Sequence, residues 1–166
     1  MLMISVNPII SMWRTKITGI LIVGLGAVLI VVAVLFISNH FQTRHEVHLG
    51  SSVFNVRLAE TDFARQKGLS GVESMAANEG LLMVFGSDGQ WGIWMKDMKI
   101  PLDIVWLDSN KKVIYTVTDI SPSLGTSETF QPDNPARYVL EVPAGSVKSG
   151  AIKIGDVAGF RLEGEE

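Results

Sequence analysis

Residues 90–108 read QWGIWMKDMKIPLDIVWLD. Within them Trp91, Ile93 and Met95 alternate with Gly92, Trp94 and Lys96, the period of two that puts successive side chains on opposite faces of a strand. Residues 102–107 form a second apolar run, and residues 97–101, DMKIP, turn between the two, so the stretch predicts a tryptophan-rich hairpin. Three of the chain's four tryptophans lie here, beside a Lys96-Asp97 pair and an Asp103 set among apolar residues. The flanks are apolar enough for a core, yet the charges are ones that a core does not need.

Working outward, the same short period recurs. Phe54, Val56 and Leu58 alternate with Asn55 and Arg57, and residues 50–52, GSS, suit a hairpin back to residues 46–49. Thr61 and Asp62 offer an N-cap for a helix of two turns at most, through Lys67, which Gly68 stops. Residues 80–85, GLLMVF, are apolar on both faces and predict a central strand, with GSDG at 86–89 as a turn. Residues 112–118 and 137–142 read as strands, and residues 150–162 as short closing segments. Residues 120–136 hold three prolines and little periodicity, the length at which a loop more often has a function. The expected fold class is mainly β, α+β at the margin: a compact β-barrel-like or sandwich domain with one or two short helices.

The N-terminal part differs in kind. Residues 17–37 carry no charge, Asn, Gln or Pro. As a helix at about 1.5 Å per residue they would run roughly 32 Å, the thickness of a bilayer core. The run is longer than a secretory signal's apolar core and ends without a small-residue cleavage pattern, so an uncleaved transmembrane helix is expected. Arg14 and Lys16 before it place residues 1–16 in the cytoplasm as a short tail. Residues 38–45 then form a connector, and residues 46–166 an extracytoplasmic domain. The formal charge of -3 becomes -6 once Arg14, Lys16 and Arg44 are set aside, because no acid precedes residue 45. An acidic domain is a poor binder of nucleic acid. With no cysteine in the chain, disulfides, thiol catalysis and zinc-thiolate or iron-sulfur sites are excluded.

Asp103 is the sharpest candidate for chemistry. Either face of its strand is apolar, so its carboxylate needs a partner or a raised pKa, the condition of catalytic acids and bases. The competing reading is an Asp that accepts backbone N–H groups near the Ile100-Pro101 bend. Arg65, Lys96, Asp97, Glu141 and Asp156 are candidate ligand-binding residues if the fold brings them to Asp103, and are otherwise solvated strand ends and turns. Trp94 shares a face with Gly92 and Lys96 and is the best placed tryptophan to stack on a ligand. His40, His45 and His48 have no closed metal-ligand spacing, so neither a metal nor a cofactor is expected. Nucleophile-elbow, P-loop and dinucleotide-binding signatures are missing.

RQKGL at 65–69, EGLLMVF at 79–85, WMKDMKIPLD at 94–103, ARYVLEVPAG at 136–145 and GAIKIGD at 150–156 resemble, in order, the signatures of the domain of unknown function 192 family. The resemblance covers about residues 53–160 and implies a prokaryotic, β-rich domain, in many members exported or membrane-anchored, with no activity to carry over. Ser70 stands where the family commonly has Met, and Met98 where it commonly has a small polar residue. The resulting expectation is a binding or accessory module, held to the lipid bilayer through residues 17–37, for a polar small molecule, a glycan or an envelope protein. The alternative is a small hydrolase or lyase using Asp103 as acid or base. A purely structural role, with an envelope protein docking on the 120–136 loop, is the third reading.

Overall fold

The computed structural model describes residues 44–162, together with Gly26, Ile30 and Val31. The chain divides into two units, Met1–Gln42 and Thr43–Glu166. The expected tail, residues 38–43 of the expected connector, and all but these three residues of the expected transmembrane helix lie outside the described residues; His45, expected at the end of the connector, instead opens the first strand, where it pairs with Val56. Among the described residues, no helix is long and apolar enough to cross a membrane.

The second unit is mainly β. β1 (His45–Leu49) and β2 (Ser52–Ala59) form the expected hairpin across Gly50-Ser51, with Gly50 at φ 59°. A side chain at Gly50 would collide with the Gly150 carbonyl, 2.1 Å from a Cβ, so glycine is required there. α1 (Asp62–Lys67) follows, its N-cap Thr61 accepting the Ala64 N–H. The remaining elements are β3 (Glu79–Gly89), β4 (Leu102–Leu107), β5 (Val113–Ile120), β6 (Ala136–Pro143) and α2 (Ser146–Ser149), with a 3-10 turn at Pro122–Leu124.

The six strands form one mixed sheet in the order β1-β2-β3-β6-β4-β5. β2 and β3 are parallel, which requires a crossover, and the segment carrying α1 supplies it. β6 arrives last in the chain yet sits between β3 and β4, antiparallel to both. Both faces are covered. Val56, Leu82, Leu140 and Val105 pack on one face under the C-terminal segment, with Ala158 and Phe160. Leu81, Met83, Val139, Ile104 and Trp106 pack on the other, with Leu69, Ile93 and Met95. The C-terminal segment also pairs with both sides of the sheet, through His48↔Gly159 on β1 and Lys112↔Val157 beside β5. This stitches together edges that would otherwise stay open.

Two sequence expectations need correction. The GSDG run at 86–89 is not a turn but the end of β3. Residues 90–96 are not a strand, so residues 90–107 do not form a hairpin. β4 is flanked by β6 and β5, which leaves it no free edge. Residues 90–96 instead lie over one face, exchanging backbone hydrogen bonds between Ile93 and Phe130 and passing the Met95 N–H to the Gly125 carbonyl. The alternation is real, since Ile93 and Met95 are buried while Gly92, Trp94 and Lys96 are exposed. It records a covering segment with one side inward.

Candidate functional site

The turn after α1 and the covering segment are tied to each other by hydrogen bonds. The Ser70 hydroxyl donates to the Lys96 carbonyl, and the Gly71 N–H to the Asp97 carbonyl. Asp97 takes φ 56° to make its turn, a conformation that Asp tolerates better than most residues. Between α1, β3 and this segment lies a cavity of about 350 Å³. Arg65, Lys67 and Gly68 line it from α1 and its cap, Met83 and Phe85 from β3, Trp94 and Met98 from the covering segment, and Glu141 from β6.

Glu141 is the chemical centre of this cavity. In register, Arg57, Leu81, Glu141 and Ile104 run across four strands on one face, so the carboxyl enters the apolar layer from the middle of the sheet. It is buried, and its Oε2 has no hydrogen-bond partner. Burial pushes its pKa up to about 7, against a smaller downward pull from the Arg57 guanidinium. Gly68 keeps the approach open: a Cβ there would stand 3.6 Å from Oε2 and 3.4 Å from the Met83 methyl.

Arg65 lines the same cavity but is committed elsewhere. It donates to the Glu60 and Val84 carbonyls, pairs with Asp62, and lies 5.1 Å from the centre of the Phe85 ring. Phe85 also stacks on Trp91, with ring centres 4.2 Å apart and planes at 7°. The three tryptophans therefore separate. Trp106 is fully buried and donates to the Trp91 carbonyl; Trp91 donates to the Ala136 carbonyl; Trp94 keeps 44% of its surface exposed at the cavity wall.

Of the residues singled out from sequence, Arg65, Trp94 and Glu141 are brought together. Asp103 is not among them. It lies on the other face of the sheet, fully buried, accepting the Asp119 N–H on Oδ1 and the Val147 N–H on Oδ2, each at 2.8 Å. It borders a second cavity, with Asp119, Lys148 and Lys153. Asp156 accepts the Lys153 N–H and closes a turn. Lys96 and Asp97 do not line the first cavity; their backbone carbonyls accept from Ser70 and Gly71. Among the described residues, no three of His, Asp and Glu gather as a metal site. Gly68, Met83, Phe85 and Met98 also line the cavity, although locally the sequence marks Gly68 as a helix stop and the GLLMVF run as a central strand.

This arrangement defines a class, a small mixed-sheet β domain with a half-open cavity floored by a buried acid. The DUF192 family model, described as Uncharacterized ACR, COG1430, matches residues 44–160, and the chain belongs to that family. Curated relatives include the UPF0127 protein TK1120 of Thermococcus kodakarensis, 30% identical over 104 residues, which are 61% of this chain and 62% of that one. A UPF0127 protein of Thermococcus gammatolerans is 30% identical over 105 residues, 62% and 64% of the two chains. The match thus spans less than two thirds of these relatives. Among solved structures, a Sinorhizobium meliloti 1021 protein described as a candidate transcription regulator superposes with TM-score 0.67 at 27% identity, over 70% of this chain and 93% of that one. A protein of unknown function from Novosphingobium aromaticivorans gives TM-score 0.64 at 25% identity, over 70% and 83%.

Proposed function

We propose that this chain is a membrane-anchored binding module whose extracytoplasmic domain takes a small polar ligand in the cavity between α1 and β3. The observation that carries this reading is Glu141, a buried carboxyl with an unpartnered oxygen, which lines a cavity of about 350 Å³. Burying such a group without a partner costs free energy, and a ligand donor supplies what the fold withholds. Trp94 offers an exposed ring as one wall, while the packed Arg65-Phe85-Trp91 group holds another wall rigid. A mostly apolar pocket with few convergent polar groups is the usual form of a small-molecule site.

The anchoring half of the proposal rests on the uncharged residues 17–37 and the basic residues before them. A second reading, acid-base catalysis, draws support from the Glu141 pKa near 7, where a carboxyl can both give and take a proton. It has less support at Asp103, whose two oxygens are held by backbone N–H groups.

Two measurements test the proposal on the full chain. Protease added outside intact cells is expected to remove the folded domain; full protection would overturn the topology. A small-molecule thermal-shift screen is expected to find compounds that raise the unfolding temperature of wild type and lose that effect when Trp94 is replaced by alanine. Equal responses in both proteins would remove the cavity as the binding site.

A further inference from the structure

Resting on that reading, we infer that the ligand presents a protonated amine, or an equivalent organic cation, to Glu141. Glu141 lines the cavity with one oxygen unpartnered, and among the described residues no cation pairs with it directly, Arg57 acting only as a smaller, more distant pull. Arg57 lies on the same sheet face but two strands away, with Leu81 between them in register. Arg65 is spent on Asp62, two carbonyls and the Phe85 ring. Lys67 is exposed at the rim, beside Gly71. Burial alone keeps the proton on Glu141 up to about pH 7. The ionised form accepts hydrogen bonds and donates none, so the partner that suits it is a donor, and a charged donor offsets part of the cost of burying the ion.

The walls agree with that assignment. Trp94, Met83 and Met98 present a π face and two thioethers, polarizable surfaces that suit an organic cation. A ligand anion would meet the floor carboxylate at close range in a poorly hydrated space. A neutral donor such as an alcohol or amide would be served as well by a glutamine at 141, with no ion to bury. The acid is useful where the ligand is positive.

The test uses the full chain in detergent micelles, with benzylamine, benzyl alcohol, benzoate and N-acetylglucosamine as probes. The readout is the Trp94 indole N–H resonance, assigned by Trp94→Phe. Benzylamine is expected to shift it saturably and to bind at least about tenfold more tightly than the other three probes. Glu141→Gln, whose spectrum shows whether it is folded, is expected to weaken benzylamine by about tenfold or more and to leave benzyl alcohol unchanged. Benzyl alcohol, benzoate or the sugar binding as well as benzylamine, or Glu141→Gln keeping full amine affinity, would overturn the cation assignment and leave the cavity as a ligand site. Silence of the resonance to all four probes would overturn both.

Discussion

Asp103 and Glu141 sit on neighbouring strands, one residue out of register, and point to opposite faces of the sheet: Asp103 pairs with Val142, and Glu141 with Ile104. Both are buried acids. Asp103 has both oxygens taken, by N–H groups from β5 and from the first turn of α2, so it joins two elements to β4. Glu141 has an oxygen left over and lines a cavity. The same chemical group therefore joins elements on one side of the sheet and keeps an unsatisfied oxygen on the other.

For Glu141 we expect stability that falls as pH rises. Its folded pKa is about 7 against an ordinary 4.5. Below pH 4.5 both folded and unfolded chains hold the proton and the group is neutral in effect. Between 4.5 and 7 the folded state keeps a proton that the unfolded state releases, so stability drops with pH. Above 7 the full penalty applies, on the order of 3 kcal/mol. Glu141→Gln, without ligand, is therefore expected to be more stable than wild type at pH 8, with the difference vanishing toward pH 4.5. Urea unfolding at several pH values measures it; a gap that grows toward acid would contradict the burial argument.

Asp103→Ala is expected to destabilise the domain by roughly 1–3 kcal/mol, because it leaves the part-buried N–H groups of Asp119 and Val147 without their acceptor. Asp103→Asn should recover part of the loss by retaining one acceptor oxygen. Denaturant midpoints give the ranking. A midpoint for the alanine variant within error of wild type would show that the clamp carries no stability.

The tryptophans should part company under substitution. Trp106→Ala removes a fully buried ring and its hydrogen bond to Trp91, for a loss of about 3–5 kcal/mol. Trp94→Ala removes a ring that is 44% exposed and makes no such bond, and should cost under about 1 kcal/mol. Thermal melts of the two variants settle the order.

Gly68 has φ 50° and ψ -133°, a region open in practice to glycine. Gly68→Ala is expected to cost about 1–3 kcal/mol from backbone strain and, in addition, to narrow the approach to Glu141. Comparing its amine affinity with that of Thr61→Ala, which loosens the α1 cap without entering the cavity, separates blockage from loss of stability.

Legibility from sequence followed the range of each interaction. The β1–β2 hairpin, α1 with its Thr61 cap and Gly68 stop, and the strand at GLLMVF were readable because their causes lie within a few residues of each other. Residues 90–96 were misread because a period of two marks one inward side, and a covering segment has that as much as a paired strand.

What the sequence alone determined was membership of a family, a β-rich domain beginning near residue 46, the absence of thiol chemistry, and which acids and tryptophans stood among apolar neighbours. Which acid is clamped and which is left open was decided by the tertiary structure. β6 enters the sheet between β3 and β4, and that insertion, made by hydrogen bonds between residues some sixty and forty positions apart, sets Glu141 and Asp103 on opposite faces. A side chain's burial follows from its own residue type and near neighbours; its partner is chosen by the strand that happens to lie alongside.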